Sequence, residues 1–318
     1  MRARPALALA AAVACTLVAA GCSGDSSPLP DGLATPSAGA SASAGPGTTP
    51  PACNPRASLR PTALPAAGRM PAGSYMAAIQ KRGFLILGTS QDTLLFSSRN
   101  SFTGKIEGFD VDMGRQIAQA IFGNPDKIQI KVIGYDKRVS SAMDGSVDIV
   151  ADTMTANCAR WVDVAFSTIY YDAGQKVLVS KDSKATGIED LGGKRVCSAA
   201  GSTSFENIGK VATKPIAVSR PAFGDCLVAF QRNEVEGIST DDTILAGMVA
   251  QDPYAKVVGP RFTEEPYAMA MSPEHPEFAR FVNAVLERNR ANGTWTRTYE
   301  KWLGDFGPAP TPPQARYK

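Results

Sequence analysis

The segment Gly108-Phe109-Asp110-Val111-Asp112-Met113 begins an amphipathic helix, because apolar residues continue one face of it at helical spacing as far as Ile121. Gly123, followed by asparagine and proline, ends that helix. An apolar run at residues 84–87, bounded by glycine, precedes the segment as a buried strand, and residues 128–133 follow it with the alternation of a second strand. This order of elements predicts an α/β fold with a mostly parallel sheet.

The alternation of strands and helices occurs twice along the chain. The second set runs from residue 177 to residue 239 and includes a predicted strand at 191–196, and helices at 278–290 and 295–303 end the fold. Two such sets predict two lobes. Open α/β sheets bind ligands outside the carboxyl ends of their strands, so we expect the site in a cleft between the lobes.

Composition limits the classes of function. The chain has 318 residues, of which 44% are hydrophobic and 20% charged, which is enough apolar material for a sizeable core. The net charge of +3 argues against a protein that binds nucleic acid by counterion release. His275 is the single histidine, which excludes multi-histidine zinc sites and most histidine-based acid/base schemes. We therefore predict no metal, no cofactor and no catalytic residue.

The first residues have the pattern of an export signal. Arg2 and Arg4 precede an apolar run at residues 6–20, and Ala19-Ala20-Gly21-Cys22 resembles a bacterial lipobox, in which the cysteine is lipidated. We predict a signal peptide at 1–21, lipidation of Cys22, and a flexible tether at 22–52 that is rich in glycine, alanine, serine, threonine and proline. The protein would be extracytoplasmic and lipid-anchored to the cell membrane. An ordinary signal peptide is the alternative.

Four cysteines remain after the signal and the lipidated residue: Cys53, Cys158, Cys197 and Cys226. In an oxidising compartment four cysteines predict two disulfides, and the sequence alone allows three pairings. The chain has no C-x-x-C spacing, which would indicate redox or metal chemistry.

Further motifs follow the opening segment in a fixed order: Ala151-Asp152-Thr153-Met154-Thr155 with Arg160, Leu191-Gly192-Gly193-Lys194-Arg195-Val196, Gly201-Ser202-Thr203-Ser204, and Asn292-Gly293-Thr294-Trp295. In this order they resemble the polar amino-acid-binding proteins of bacterial ABC importers, the extracytoplasmic solute-binding family 3. The resemblance covers about 240 residues, from Tyr75 to Gly304.

The resemblance implies a two-lobed, type II periplasmic-binding-protein-like fold with the second lobe inserted in the first. The expected parts are an N-terminal extension at 53–74, lobe 1 at 75–172 and 267–318, and lobe 2 at 173–266, with crossings near 171–174 and 264–267. Cys197 and Cys226 would then share lobe 2, and Cys53 could tie the extension to Cys158 of lobe 1, so the resemblance favours these two pairs. The proline-rich tail at 308–313 is expected to be loose.

The resemblance also implies a site for the α-carboxylate of an amino acid. Arg160 would hold the carboxylate with both arms of its guanidinium, and Thr155 would add a hydroxyl. Ser202 and Thr203 lie in a glycine-led turn that opens a helix, where N–H groups favour an anion. Thr153 is assigned to the same α-carboxylate site.

For the α-ammonium of the ligand, the resemblance implies Asp241, and the neighbouring Asp242 is the alternative. Each assignment in this site also has a structural alternative. Arg160 could instead form a surface salt bridge with Asp163, and the role of Ser202 could be limited to capping its helix.

For the ligand side chain, Arg138 matches an arginine that glutamate- and aspartate-binding members use on the side-chain carboxylate. Arg99 could support it, and Phe96 could cover the aliphatic part of the ligand. Arg138 could instead be a solvated residue at a helix start, and a core role for Phe96 is equally open. Asp110 and Asp112 are expected to be structural residues of their helix start.

These assignments predict a monomer that closes around glutamate or aspartate and delivers it to a membrane permease coupled to an ATPase. Glutamine or asparagine is the alternative ligand. Two other classes stay open: an enzyme on the same fold, similar to cyclohexadienyl dehydratases, and a sensor subunit that reports amino acids to a signalling protein. An enzyme would need an acid or base poised in the cleft, whereas the charges of a bound amino acid account for every motif residue.

Overall fold

The structure is a computed structural model that describes residues 53–318. The predicted signal peptide, the lipidated Cys22 and the tether at 22–52 lie outside the described residues.

Eight α-helices are found within residues 53–318: α1 (Tyr75–Arg82), α2 (Phe109–Phe122), α3 (Arg138–Met143), α4 (Thr203–Ile208), α5 (Phe223–Gln231), α6 (Asp242–Gln251), α7 (Pro276–Ala291) and α8 (Thr294–Leu303). The strands of the same residues are β1 (Ala57–Ser58), β2 (Leu85–Thr89), β3 (Asp92–Thr93), β4 (Ser97–Arg99), β5 (Ile106–Glu107), β6 (Ile128–Val132), β7 (Ile149–Val150), β8 (Ala165–Phe166), β9 (Tyr171–Ala173), β10 (Gln175–Ser180), β11 (Arg195–Ala199), β12 (Ile216–Arg220), β13 (Gly237–Asp241), β14 (Ala255–Val258), β15 (Glu265–Tyr267), β16 (Ala270–Met271) and β17 (Arg316–Tyr317).

Two five-stranded sheets form the two lobes. Lobe 1 is built on the sheet β6-β2-β7-β16-β8, and lobe 2 on the sheet β12-β11-β13-β10-β14. In each sheet the first three strands are parallel, the fourth runs antiparallel to both of its neighbours, and the fifth therefore has the direction of the first three. The predicted α/β class and the two lobes are confirmed.

Helix α2 positions the first half of lobe 1. Gly108 precedes it with φ +145°, and a Cβ at this position would lie 2.2 Å from the carbonyl oxygen of Phe96, so the chain requires glycine here. The carboxylate of Asp110 accepts hydrogen bonds from Tyr170 Oη and Thr153 N, both at 2.6 Å. Asp112 accepts from Trp302 Nε1 at 2.7 Å. The two acids are structural, as the sequence predicts.

Strands β9 and β15 join the lobes. The chain leaves the sheet of lobe 1 through β9 and returns to it through β15, and the two strands pair antiparallel with Tyr171 opposite Tyr267. Lobe 2 is therefore inserted in lobe 1. We call β9 and β15 the hinge strands.

A strap formed by residues 53–58 ties the N-terminal side of the described chain to lobe 1 and to the hinge strands. Cys53 is bonded to Cys158, and Cys197 to Cys226, which confirms both favoured pairs. The guanidinium of Arg56 forms ion pairs with Asp172 Oδ1 of β9 at 2.6 Å and with Glu264 Oε2, next to β15, at 3.0 Å.

The C-terminal tail meets the same strap. Strand β17 pairs in parallel with β1, so Arg316 lies opposite Ala57 and Tyr317 opposite Ser58. The expected looseness at 308–313 thus does not extend to the last residues of the chain. No helix among residues 53–318 is long and apolar enough to cross a membrane.

Candidate functional site

The predicted ligand residues follow the carboxyl ends of the parallel strands in both lobes. Thr153 and Thr155 follow β7 of lobe 1, Thr203 follows β11 of lobe 2, and Asp241 ends β13 of lobe 2. Because these strand ends face each other across the cleft, side chains from both lobes meet there.

Arg160 turns into the cleft and touches both lobes. Its Nη1 donates to the carbonyl oxygen of Thr155 at 2.7 Å, and its Nη2 donates to the carbonyl oxygen of Gly201 in lobe 2 at 3.1 Å. Burial and the neighbouring positive charge of Arg138 lower the pKa of Arg160 to about 9. The surface pairing with Asp163 is not the arrangement found.

Arg138 is buried, with 3% of its surface exposed, so it is not a solvated residue at a helix start. Its Nε donates to the carbonyl oxygen of Tyr135, its Nη1 to those of Asp152 and Thr153, and its Nη2 to that of Gly201, at 3.0 to 3.4 Å. Four of the five guanidinium N–H groups therefore have main-chain acceptors.

The lobes approach each other closely at Gly201. Its φ is +70°, and a Cβ here would lie 2.6 Å from the Cα of Asp136 in lobe 1. Its carbonyl oxygen receives hydrogen bonds from both cleft arginines. A second cross-lobe bond joins Gly224 N of lobe 2 to Asp92 Oδ2 of lobe 1 at 2.7 Å. The lobes are closed on each other in this structure.

Asp241 is the buried acid of lobe 2. Its carboxylate accepts hydrogen bonds from Tyr267 Oη at 2.6 Å and from Ser204 Oγ at 3.4 Å. Burial and the nearby carboxylate of Glu265 raise the pKa of Asp241 well above its ordinary value. Asp242, the first residue of α6, instead forms an ion pair with Arg261 at 2.6 Å. This pairing favours Asp241 as the acid of the cleft.

The hydroxyls of Thr155 and Thr203 both bind a carboxylate of the protein itself. Thr155 Oγ1 and Thr203 Oγ1 donate to the same oxygen of Glu265, Oε2, at 2.6 and 2.7 Å. Glu265 could not be identified from the sequence, because an acid next to Glu264 in a polar segment is typical of a solvated loop. Its position directly before Pro266, where the chain returns to lobe 1, was the available signal.

The remaining predicted residues have structural contacts. Ser202 caps α4, since its Oγ accepts from Phe205 N at 3.1 Å. Phe96 lies in the core of lobe 1 against Phe109, Tyr171 and Tyr267, which is the core role that the sequence left open.

Arg99 is not brought to the cleft cluster. Its side chain is exposed, and its guanidinium donates to Gln91 Oε1 at 2.8 Å and to the carbonyl oxygen of Gly104 at 2.6 Å, within its own loop region. These local acceptors hold it away from Arg138.

Asp152 is a second residue that sequence reasoning passed over. It is fully buried beside Arg138, and its Oδ1 accepts from Ser90 N at 2.9 Å. Within residues 53–318, its Oδ2 and the hydroxyl of Thr153 have no hydrogen-bond partner. A buried carboxylate oxygen without a donor favours a ligand group that can donate one.

A cavity of about 320 Å³ opens between the lobes beside this cluster, and Thr155, Asn157, Thr203, Asn207 and Glu265 are among its lining residues. A larger cavity of about 690 Å³ lies on lobe 2 around Phe230 and Tyr254, and the predicted site residues do not line it. We place the site at the smaller cavity because two of the predicted site residues, Thr155 of lobe 1 and Thr203 of lobe 2, line it. In the described part of the chain, no cluster of three or more histidine, cysteine or acidic side chains could hold a metal ion.

Two α/β lobes joined by two hinge strands, with charged groups of both lobes meeting in the cleft, define the type II periplasmic-binding-protein fold. The family pattern of the bacterial extracellular solute-binding proteins, family 3, matches residues 85–305, and the chain belongs to this family.

Three relatives are named for glutamine or glutamate binding. The ABC transporter glutamine-binding protein GlnH of Bacillus subtilis is 34% identical over 72% of this chain and 84% of its own length. The glutamine-binding protein of Geobacillus stearothermophilus is 36% identical over 64% and 78%. The glutamate-binding protein GluB of Corynebacterium glutamicum is 28% identical over 76% and 86%.

Solved structures agree on the fold. An ancestral arginine-binding protein, solved with bound arginine and with bound glutamine, is 31% identical, with a TM-score of 0.65 over 70% of this chain and 99% of that chain. The predicted family and fold are confirmed.

Proposed function

We propose that this protein is the solute-binding component of an ABC importer and that it binds a polar amino acid in the interlobe cleft, with glutamine as the preferred ligand. The α-carboxylate would bind at Arg160 and the α-ammonium at Asp241. The closed protein would dock on the permease, which an ATPase drives.

The environment of Arg138 carries the preference for glutamine. Main-chain carbonyl groups occupy four of its five N–H groups, so it cannot hold a side-chain carboxylate with both arms. The buried carboxylate of Asp152 lies beside it and would repel a second carboxylate, whereas its unpartnered oxygen can accept an amide N–H. The names of the two relatives that are more than 30% identical support the same ligand.

Glutamate or aspartate is the second candidate. Arg138 keeps one N–H without an assigned acceptor, and a relative that is 28% identical is named as glutamate-binding. A single charge-assisted hydrogen bond would favour the acid, and the charge of Asp152 would oppose it.

The test is a thermal-shift panel on the full chain with glutamine, asparagine, glutamate, aspartate and arginine. A ligand at about 100 times its Kd adds about 2.7 kcal/mol to the free energy of unfolding, which raises Tm by several degrees. We expect glutamine to give the largest shift, and recovery of unchanged ligand would separate binding from turnover. A shift with glutamate alone contradicts the glutamine preference, and no shift with any amino acid contradicts the binding function.

Asp152→Asn tests the selector directly, because it removes the charge and keeps the shape. We expect it to narrow the ratio of glutamine to glutamate affinity by about tenfold or more, since like charges oppose binding by several kcal/mol. The matched control is Asp144→Asn on lobe 1, where the carboxylate is exposed and lies outside the cleft. An unchanged ratio in Asp152→Asn would assign the selection to another residue.

We also propose that Cys22 carries a lipid that holds the protein at the outer face of the cell membrane. The sequence motif supports this proposal. Cells grown with radiolabelled palmitate are expected to label the wild-type protein and not Cys22→Ser, and equal labelling contradicts the anchor.

The domain boundaries 75–172 with 267–318, and 173–266, stay a prediction. The membership of the strands in the two sheets and the pairing of β9 with β15 support them.

A further inference from the structure

Glu265 presents a buried carboxylate at the point where the chain returns from lobe 2 to lobe 1. It begins hinge strand β15, pairs with Ala173 of β9, and has 2% of its surface exposed. A buried carboxylate is costly unless hydrogen bonds satisfy it. Its partners therefore decide what it does.

Four side chains donate to this carboxylate, and they come from three parts of the molecule. Oε2 accepts from Thr155 of lobe 1 at 2.6 Å and from Thr203 of lobe 2 at 2.7 Å. Oε1 accepts from Asn207 Nδ2 of lobe 2 at 3.1 Å and from Thr263 Oγ1, next to the hinge strand, at 2.7 Å. We call these four bonds the Glu265 bridge.

The Glu265 bridge depends on closure. Thr155 and Thr203 can reach one carboxylate oxygen together only when the strand ends of the two lobes are side by side, and an opening movement about the hinge strands separates them. Hydrogen bonds to an ionised acceptor are roughly twice as strong as neutral ones. The bridge therefore stabilises the closed arrangement over the open one.

The bridge also fixes what the two threonines can offer a ligand. Each hydroxyl has one proton, and in this structure both protons point to Glu265 Oε2. Neither hydroxyl can donate to a ligand carboxylate at the same time. In the closed arrangement the Thr155 hydroxyl, which the resemblance assigned to the α-carboxylate, is thus bonded to Glu265, and Arg160 is left as the side chain that would hold that carboxylate.

We propose that Glu265 is a positioning residue that keeps the lobes closed over the bound amino acid through Thr155, Thr203 and Asn207. This role rests on the proposed binding function but is independent of which amino acid is bound. Glu265 acts through the two lobes and does not itself select the side chain of the ligand.

Glu265→Gln in the full chain tests the proposal, because glutamine keeps the shape and turns an acceptor into a donor that faces other donors. The closed fraction is measured by fluorescence transfer between dyes on azide-bearing residues placed at Met143 of lobe 1 and Ile216 of lobe 2, which are 47% and 53% exposed. We expect a smaller closed fraction without ligand and, by stopped flow, a koff about tenfold higher with kon nearly unchanged. The ranking of the ligands stays as it is in the wild type.

Glu189→Gln is the matched control. Glu189 is an exposed acid of lobe 2 outside the lining of the cavity, so its variant removes one negative charge from the same lobe and leaves the four bonds in place. We expect its closed fraction and its koff to match the wild type. If Glu189→Gln reproduces the effect of Glu265→Gln, loss of a negative charge alone explains it and the positioning role is overturned.

Asn207→Ala breaks the bridge from lobe 2 and serves if Glu265→Gln does not fold. It should lower the closed fraction in part, and it should add nothing when combined with Glu265→Gln, because both changes remove the same contact. A closed fraction that stays at the wild-type value in both variants, or tighter binding by Glu265→Gln, overturns the proposal. The dyes report closure without any ligand, so an error in the proposed ligand is detected separately by the thermal-shift panel.

Discussion

The protonation of Asp241 makes ligand binding in the cleft depend on pH. In the closed arrangement, burial and the neighbouring carboxylate of Glu265 raise the pKa of Asp241 well above its ordinary value. An arriving α-ammonium favours the ionised form and lowers that pKa, so binding releases a proton and affinity rises as pH increases towards the raised pKa of Asp241. Calorimetry in buffers of different ionisation enthalpy is expected to show this release.

The paired variants separate Asp241 from its neighbour. Asp241→Asn is expected to weaken binding by about 100-fold or more, since the ammonium then lacks a charged partner, and to abolish the proton release. Asp242→Asn breaks an ion pair with Arg261 and is expected to keep both. Loss of binding in Asp242→Asn with retention in Asp241→Asn would reverse the assignment.

At the scale of single residues, the sequence predicts a functional role for residues whose type is chemically unusual for their position in the chain. The resemblance to the family implied cleft roles for Arg160 and Arg138, and both guanidinium groups reach the carbonyl oxygen of Gly201. Glu265 and Asp152 could not be foreseen, because their roles depend on which strand end meets which across the cleft. That information lies in the tertiary fold and not in the local pattern.

At the scale of elements, the strap at residues 53–58 begins at the disulfide Cys53–Cys158 and is held further by Arg56 and by the pairing of β1 with β17. Opening Cys53–Cys158 by substitution of both residues with alanine is expected to lower the free energy of unfolding by about 2–4 kcal/mol. Hydrogen exchange should also lose protection at Ala57 and Ser58, while the lobes keep theirs.

Alanine at both Cys197 and Cys226 is the control for the strap. This pair is buried within lobe 2, at a sequence separation of 29 against 105 for the other pair, so its loss destabilises lobe 2 and leaves Ala57 and Ser58 protected. Full protection of the strap after loss of Cys53–Cys158 would mean that Arg56 and the pairing of β1 with β17 suffice to hold it.

The elements that the sequence predicts well have a one-sided apolar pattern. Helices α2, α7 and α8 are found within a few residues of their predicted bounds. The strand predicted at 191–196 begins only at Arg195, because Leu191 ends a 3-10 turn that packs on the core of lobe 2. Helix α6 was missed because its apolar residues lie on several faces, which erases the periodicity.

At the scale of the molecule, closure depends on how near the lobes can approach at Gly201. Gly201→Ala would place a Cβ 2.6 Å from the backbone of Asp136 and is expected to lower the closed fraction and weaken ligand binding by about tenfold or more. Titration calorimetry and the interlobe dyes both report the change.

Gly193→Ala is matched to that variant in backbone conformation. Gly193 has φ +68° in the same lobe, and a Cβ there meets no atom within 4 Å. Its alanine variant carries the backbone strain of about 1 kcal/mol without the collision, so its affinity should match the wild type. Equal weakening in both variants would attribute the effect to strain in lobe 2.

The double ion pair of Arg56 has a mechanical consequence. Its guanidinium is bound to Asp172 of hinge strand β9 and to Glu264, next to hinge strand β15. The described chain therefore enters the folded body close to the axis about which lobe 2 turns. A point near a rotation axis moves little even when the lobe turns through a large angle. Opening and closing can therefore proceed with almost no displacement at Cys53, and a load applied there would exert little torque on the cleft.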